Sequence, residues 1–136
     1  MQKLTPPGLP PWLESMLPSG CERYRVGLSA ARMHVLEMGE GKPVLLVHGN
    51  PTWGFLYRRV MSELAEGGMR LIAPDLFGLG FSDKPRRLVD HTLVTHAQAL
   101  RELILGLDLR DVVLVVQDWG GPIGVLAFED CLDRVS

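Results

Sequence analysis

The sequence is poor in cysteine: it has two, Cys21 and Cys131, far apart and in no spacing that matches a metal or redox motif. That excludes a disulfide scaffold and a cysteine-based metal centre, and the thiols are read as reduced, as in a cytoplasmic protein. No run of about eighteen apolar residues occurs, so no membrane span is expected. Net charge of one sign is also missing. Lys and Arg number 14 against 16 Asp and Glu, a balance of −2, which leaves no electrostatic case for nucleic acid or an anionic membrane surface as partner. Internal repeats and low-complexity tracts are absent. The start is not an apolar signal helix either, because Pro6, Pro7, Pro10, Pro11 and Pro18 break any helix there.

What is present is material for one core. The chain has 136 residues, enough for one small domain, and 46% of them are hydrophobic. A proline-rich arm, residues 1–22, precedes an α/β unit, residues 23–136. Within that unit Tyr24 to Ser29 and Arg32 to Glu37 read as two short strands. Val44 to Val47, Arg70 to Ala73 and Val112 to Val116 are apolar runs of the kind that form strands buried on both faces. Between them, Leu56, Val60 and Leu64 step by four along one face of a helix over Gly54 to Ala65. Leu93, Ala97, Leu100, Ile104 and Leu107 mark a second helix, and a third is expected from about Pro122 to about Asp133. Alternating strands and helices of this kind predict an α/β fold with a mostly parallel sheet and helices on both faces.

Ligands of open parallel sheets gather beyond the carboxyl ends of the strands. Three unusual loops fall at such ends: His48 to Trp53, Pro74 to Pro85, and Gln117 to Gly121. The last runs from a strand directly into a helix, and its Gln-Asp-Trp-Gly-Gly resembles the strained nucleophile elbow G-x-S-x-G. Gln117 stands where the first glycine would be, Asp118 where the serine would be, and Gly120 in the last glycine position. An alternative reading makes Asp118 a cap for the following helix. A carboxylate needs no base to act as a nucleophile at neutral pH, and attack on carbon leaves an ester that water must then hydrolyse with the help of a base. Asn50 and Trp119 offer a side-chain amide and an indole N–H, neutral donors suited to a departing anion. Their plainer readings are a turn residue before proline and a core aromatic.

His-Gly-Asn-Pro-Thr-Trp from His48, Pro-Asp-Leu-Phe-Gly-Leu-Gly-Phe-Ser-Asp-Lys-Pro from Pro74, and Gln-Asp-Trp-Gly-Gly from Gln117 resemble, in order and spacing, the haloalkane dehalogenases of the α/β-hydrolase superfamily. The similarity runs from about Tyr24 to the end. It implies that Asp118 is the nucleophile, that Asn50 and Trp119 bind the halide, and that backbone N–H groups at those two positions form the oxyanion hole. It implies a small apolar halogenated substrate, halide and water as partners, and neither cofactor nor metal. His48 is then expected to anchor its loop and Asp75 to fix the loop after its strand. His34, His91 and His96 are read as surface residues of a strand, a loop and a helix. Trp53 and Phe81 either line the pocket mouth or pack, and Arg86-Arg87 is a solvated pair.

In that family the catalytic acid and histidine follow the elbow, separated by a helical cap, and none of the four histidines here lies in a corresponding segment. The expectation is therefore the amino-terminal half of a longer parent protein, a cleaved or discontinuous chain, or one completed by a separate polypeptide. The isolated chain is expected to be inactive, with Val112 to Val116 left as an apolar sheet edge. The same motifs also fit a β-lactone decarboxylase, an epoxide hydrolase or, more distantly, a coelenterazine-type luciferase. From another class, the chain could be a non-catalytic α/β module or assembly partner.

Overall fold

A computed structural model describes all 136 residues. Five strands, β1 (Glu22–Gly27), β2 (Arg32–Met38), β3 (Lys42–Val47), β4 (Met69–Pro74) and β5 (Val113–Val116), form one sheet in the order β1-β2-β4-β3-β5. β1 with β2 and β2 with β4 run antiparallel, while β3 runs parallel to both β4 and β5. The sheet is thus mixed, and its parallel part, β4-β3-β5, is the one that carries the three loops of interest.

The four helices are α1 (Pro11–Glu14), α2 (Arg58–Ala65), α3 (Leu93–Gly106) and α4 (Gly120–Phe128). The continuous apolar run in β3 is explained by two separate cores. Alternate side chains point to opposite faces of a strand, so Leu45 and Val47 join a cluster with Leu100, Leu103 and Ile104 of α3 and Ile123 and Ala127 of α4. Val44 and Leu46 face the other way, into a cluster with Tyr57, Met61, Leu36 and Leu71. Both faces of the central strand are therefore dry, as the sequence pattern implied.

Several local expectations change. The helix from Gly54 begins as a 3-10 turn, Gly54–Tyr57, before α2 proper. Tyr57 and Met61 are its buried residues, whereas Leu56 and Val60 are 44% and 41% exposed. The expected stripe is therefore not the buried face: Tyr57 and Met61 meet the sheet, and of the three stripe residues only Leu64 packs partly against that core. The helix after the elbow starts at Gly120 and ends at Phe128, with a separate 3-10 turn at Leu132–Arg134. The amino-terminal arm is partly ordered into the fold: Leu4 pairs with Arg25, and Leu13 of α1 is buried. β5 lies at the sheet edge, with Val116 41% exposed, yet Val112 is met there by Val135 in a parallel bridge. Both cysteines are free, and burial pushes the Cys21 thiol up to about 11. No helix is long and apolar enough to cross a membrane.

Candidate active site

The three loops converge at the carboxyl end of β3 and β5. Gln117 and Asp118 follow β5 directly, and α4 begins two residues after Asp118. Asp118 sits at φ +53°, the left-handed region that is costly for a residue with a side chain. What permits the turn to press against the end of β3 is the absence of a side chain at Gly120. A methyl on Gly120 would lie 2.7 Å from the carbonyl oxygen of His48, so α4 abuts the end of β3 only because that position is glycine.

The Asp118 carboxylate is exposed and does not cap α4. The helix's N-cap residue is Trp119, without any side-chain cap bond. Instead Asp118 Oδ2 accepts the backbone N–H of Asn50 at 3.2 Å, across the gap between two loops. This overturns the capping alternative. The Asn50 loop is held in place at several points. Gly49 N–H donates to Gln117 Oε1 at 3.0 Å, and Thr52 Oγ1 donates to the Gly49 carbonyl at 3.0 Å. The Asn50–Pro51 peptide bond is cis.

Asn50 and Trp119 line a common cavity of about 570 Å³, together with Leu76, Phe77, His96 and Ile123 among others. Trp119 is 54% exposed, so it is not a core aromatic. No hydrogen bond to another protein group engages the Asn50 side-chain amide or the Trp119 indole of these two lining residues. Asn50 and Trp119 thus contribute to the cavity lining, and the Asp118 carboxylate is tied to the backbone N–H of Asn50 beside it.

His48 is fully buried and anchors its loop as expected. Its Nδ1 lies 2.7 Å from the Gly49 carbonyl, and its Nε2 accepts the Leu76 N–H at 2.9 Å. Burial is the main reason its pKa is held below the ordinary histidine value. Asp75 also fixes loops: it accepts N–H bonds from Gly54 at 2.7 Å and Phe81 at 2.9 Å. Trp53 stacks on Phe55 and meets Phe81 edge-on at 5.3 Å, a packing arrangement. Arg87 pairs with Asp90 on the surface.

Two readings of histidines need correction. His34 is not at the surface but fully buried beside Asp75, because β2 is flanked by β1 and β4 and the loop after β4 folds over it. His96 is half-buried in the cavity wall, and burial, then His91 and His48, lower its pKa. His91 is exposed, as expected, and faces the Pro85 carbonyl at 2.7 Å. Sequence reasoning missed Gln117 as the partner of Gly49. Its only signal was the departure from a small residue at the first elbow position. No cluster of three or more His, Cys, Asp or Glu side chains is placed to hold a metal ion.

Comparison with known proteins identifies the fold. A family model described as the alpha/beta hydrolase fold matches residues 42–136. A haloalkane dehalogenase of Mycobacterium marinum is 46% identical over 107 residues, 77% of this chain and 36% of that protein. One from Psychrobacter cryohalolentis is 43% identical over 110 residues, 79% of this chain and 36% of that protein. Among solved structures, the haloalkane dehalogenase DpaA from Paraglaciecola agarilytica has a TM-score of 0.81 at 35% identity, covering 100% of this chain and 47% of that one. An epoxide hydrolase from Vigna radiata has the same TM-score of 0.81 at 31% identity, covering 85% of this chain and 38% of that one. The chain spans little more than a third of the length of the curated relatives it matches. The elbow, the loops around it and these matches together establish that the chain belongs to the α/β-hydrolase family.

Proposed function

We propose that this chain is the nucleophile-bearing part of a haloalkane dehalogenase, in which Asp118 displaces halide from an alkyl carbon. The observation that carries the reading is the placement of Asp118 Oδ2 on the Asn50 N–H, beside a cavity rimmed by Asn50 and Trp119. With Oδ2 so held, the other carboxylate oxygen is free to attack. A C–O bond forms as the carbon–halogen bond breaks, and the halide departs with the electron pair toward the two side-chain donors. Those donors gain strength only as negative charge grows on the halogen, so they favour the transition state over the bound substrate. The resulting alkyl ester keeps Oδ2 as its carbonyl oxygen. The Asn50 N–H is then already aimed where negative charge develops when water adds.

Hydrolysis of that ester needs a base, and the four histidines have other places. His34 has an acidic partner but no access to solvent, and His48 uses both ring nitrogens within its loop. His91 faces a backbone carbonyl, and His96 has no acidic partner to orient it. In this reading the acid and base come from a further segment of a longer parent protein or from a separate polypeptide. The isolated chain forms the ester and turns over no further. No cofactor or metal enters the scheme. The free thiols fit a cytoplasmic setting.

Incubation of the chain with 1-bromobutane should give bromide and a butyl ester located at Asp118 by peptide mass spectrometry. Bromide release that persists in Asp118→Ala would remove the mechanism. Parallel incubations with styrene oxide and a β-lactone test the neighbouring chemistries. Preferential adduct formation with the epoxide would move the assignment to an epoxide hydrolase, for which the structural similarity to the Vigna radiata enzyme gives specific support. CO₂ release from the lactone would indicate a decarboxylase. No reaction at Asp118 with any of the three would favour a non-catalytic module.

A further inference from the structure

Behind the Asn50 loop lies a buried polar pair that the proposed chemistry does not use. His34 of β2 and Asp75, the residue after β4, are both fully buried. They are joined twice: the Asp75 N–H donates to the His34 carbonyl at 2.8 Å, and His34 Nδ1 lies 2.8 Å from Asp75 Oδ2. Ser82 closes the group by accepting the His34 N–H at 2.8 Å and donating to the Asp75 carbonyl at 2.6 Å.

The carboxylate gathers three segments of chain. Oδ1 accepts the N–H of Gly54, where the Asn50 loop ends, at 2.7 Å. Oδ2 accepts the N–H of Phe81, in the loop after β4, at 2.9 Å, as well as the His34 ring. Three donors on two oxygens suit a carboxylate, because an amide in its place would offer one acceptor oxygen and an NH₂ that repels the rest. The other ring nitrogen, His34 Nε2, is buried without any partner. An imidazole is costly there compared with an apolar ring, so its presence is explained by the Nδ1–H that it gives to Asp75.

The Asn50 loop is therefore tied at both ends. At its start His48 Nε2 takes the Leu76 N–H, and at its finish Gly54 is fixed by Asp75. Between these ties lies Asn50, whose N–H reaches Asp118 Oδ2. We propose that His34 and Asp75 are positioning residues for the active site: the imidazole orients the carboxylate, and the carboxylate sets the loop so that Asn50 meets Asp118. This inference rests on the reading of Asn50 and Asp118 as the working site.

Amide hydrogen exchange on the ¹⁵N-labelled chain tests it, with bromide affinity, read as quenching of Trp119 fluorescence, as a second measurement. In His34→Leu the amides of Asn50, Gly54 and Phe81 should exchange at least about tenfold faster, while Leu45 and Leu46 of β3 keep their protection. Bromide should bind correspondingly more weakly. His34→Asn, which restores an N–H at the position of Nδ1, should return both readouts most of the way. Acceleration of all amides by one common factor would show a merely structural pair and overturn the proposal, as would failure of His34→Asn to differ from His34→Leu. Should His34→Leu not fold, Asp75→Asn decides: the proposal is overturned if neither Gly54 nor Phe81 speeds up. If the unaltered chain binds no bromide, the halide reading fails, yet local exchange still decides whether the pair sets the loop.

Discussion

Gly49 and Asp118 approach so closely that no side chain fits between them: a methyl on Gly49 would lie 2.7 Å from Asp118 Oδ2 and 2.9 Å from Gln117 Oε1. The position of Asp118 therefore depends on a hydrogen atom at the end of the adjacent strand, β3. Gly49→Ala should push the Asp118 carboxylate off its bond with Asn50. An ångström of misplacement commonly costs about a hundredfold in rate. Ester formation with 1-bromobutane should fall by about that factor, while overpacking costs roughly 1–3 kcal/mol of stability by urea unfolding.

Gln117 matters for its acceptor oxygen. Gln117→Leu leaves the Gly49 N–H with its bond to Oε1 lost, at roughly 1–3 kcal/mol. Gln117→Glu keeps an acceptor in the same place and should cost less than half as much. Equal losses in the two variants, measured by chemical denaturation, would mean that packing and not this bond fixes the loop.

His48 makes the fold sensitive to mild acid. Its Nε2 must be bare to accept the Leu76 N–H, and burial holds its pKa below that of a histidine in the unfolded chain, about 6.5. Stability linked to it is fully present above that value and is lost as pH falls through the lower folded value. His96, also lowered by burial, adds in the same direction. Thermal unfolding from pH 7.5 downward should show this slope, and His48→Gln should retain only the share due to His96.

A second acid-sensitive point lies at Glu37. Burial alone would raise its pKa, but hydrogen bonds from Arg70 at 2.6 Å and Tyr24 at 2.5 Å, with the charges of Arg70 and Lys3, outweigh that and hold it below the usual value. The group ties β2 to both β1 and β4. Its contribution is present above the unfolded value of about 4.3 and lost as pH drops through the folded one. Glu37→Gln should lower stability at neutral pH by roughly 1–3 kcal/mol, with the difference from the unaltered chain shrinking toward pH 3.

Much of this architecture can be read in local sequence. Val44 to Val47 is apolar at every position because two cores claim alternate residues, and the elbow announces itself because Gly120, two residues after Asp118, must lie against the end of β3 without a side chain. The positive φ at Asp118, the anchoring role of His48 and the convergence of the three loops follow from such short-range signals and from strand order.

What the sequence leaves open are choices made between segments far apart along the chain. Whether Leu56 or Tyr57 leads the buried face of α2 is decided by how the 3-10 turn enters against the sheet. His34 looks like any strand residue until Asp75, 41 positions later, folds over it, and Gln117 looks like a flaw in the elbow until Gly49, 68 positions earlier, donates to it. Periodicity and turn chemistry act within a few residues and so are written in order along the chain. Burial of a polar group and the partner that satisfies it are properties of the closed fold, and they were settled only when the loops met.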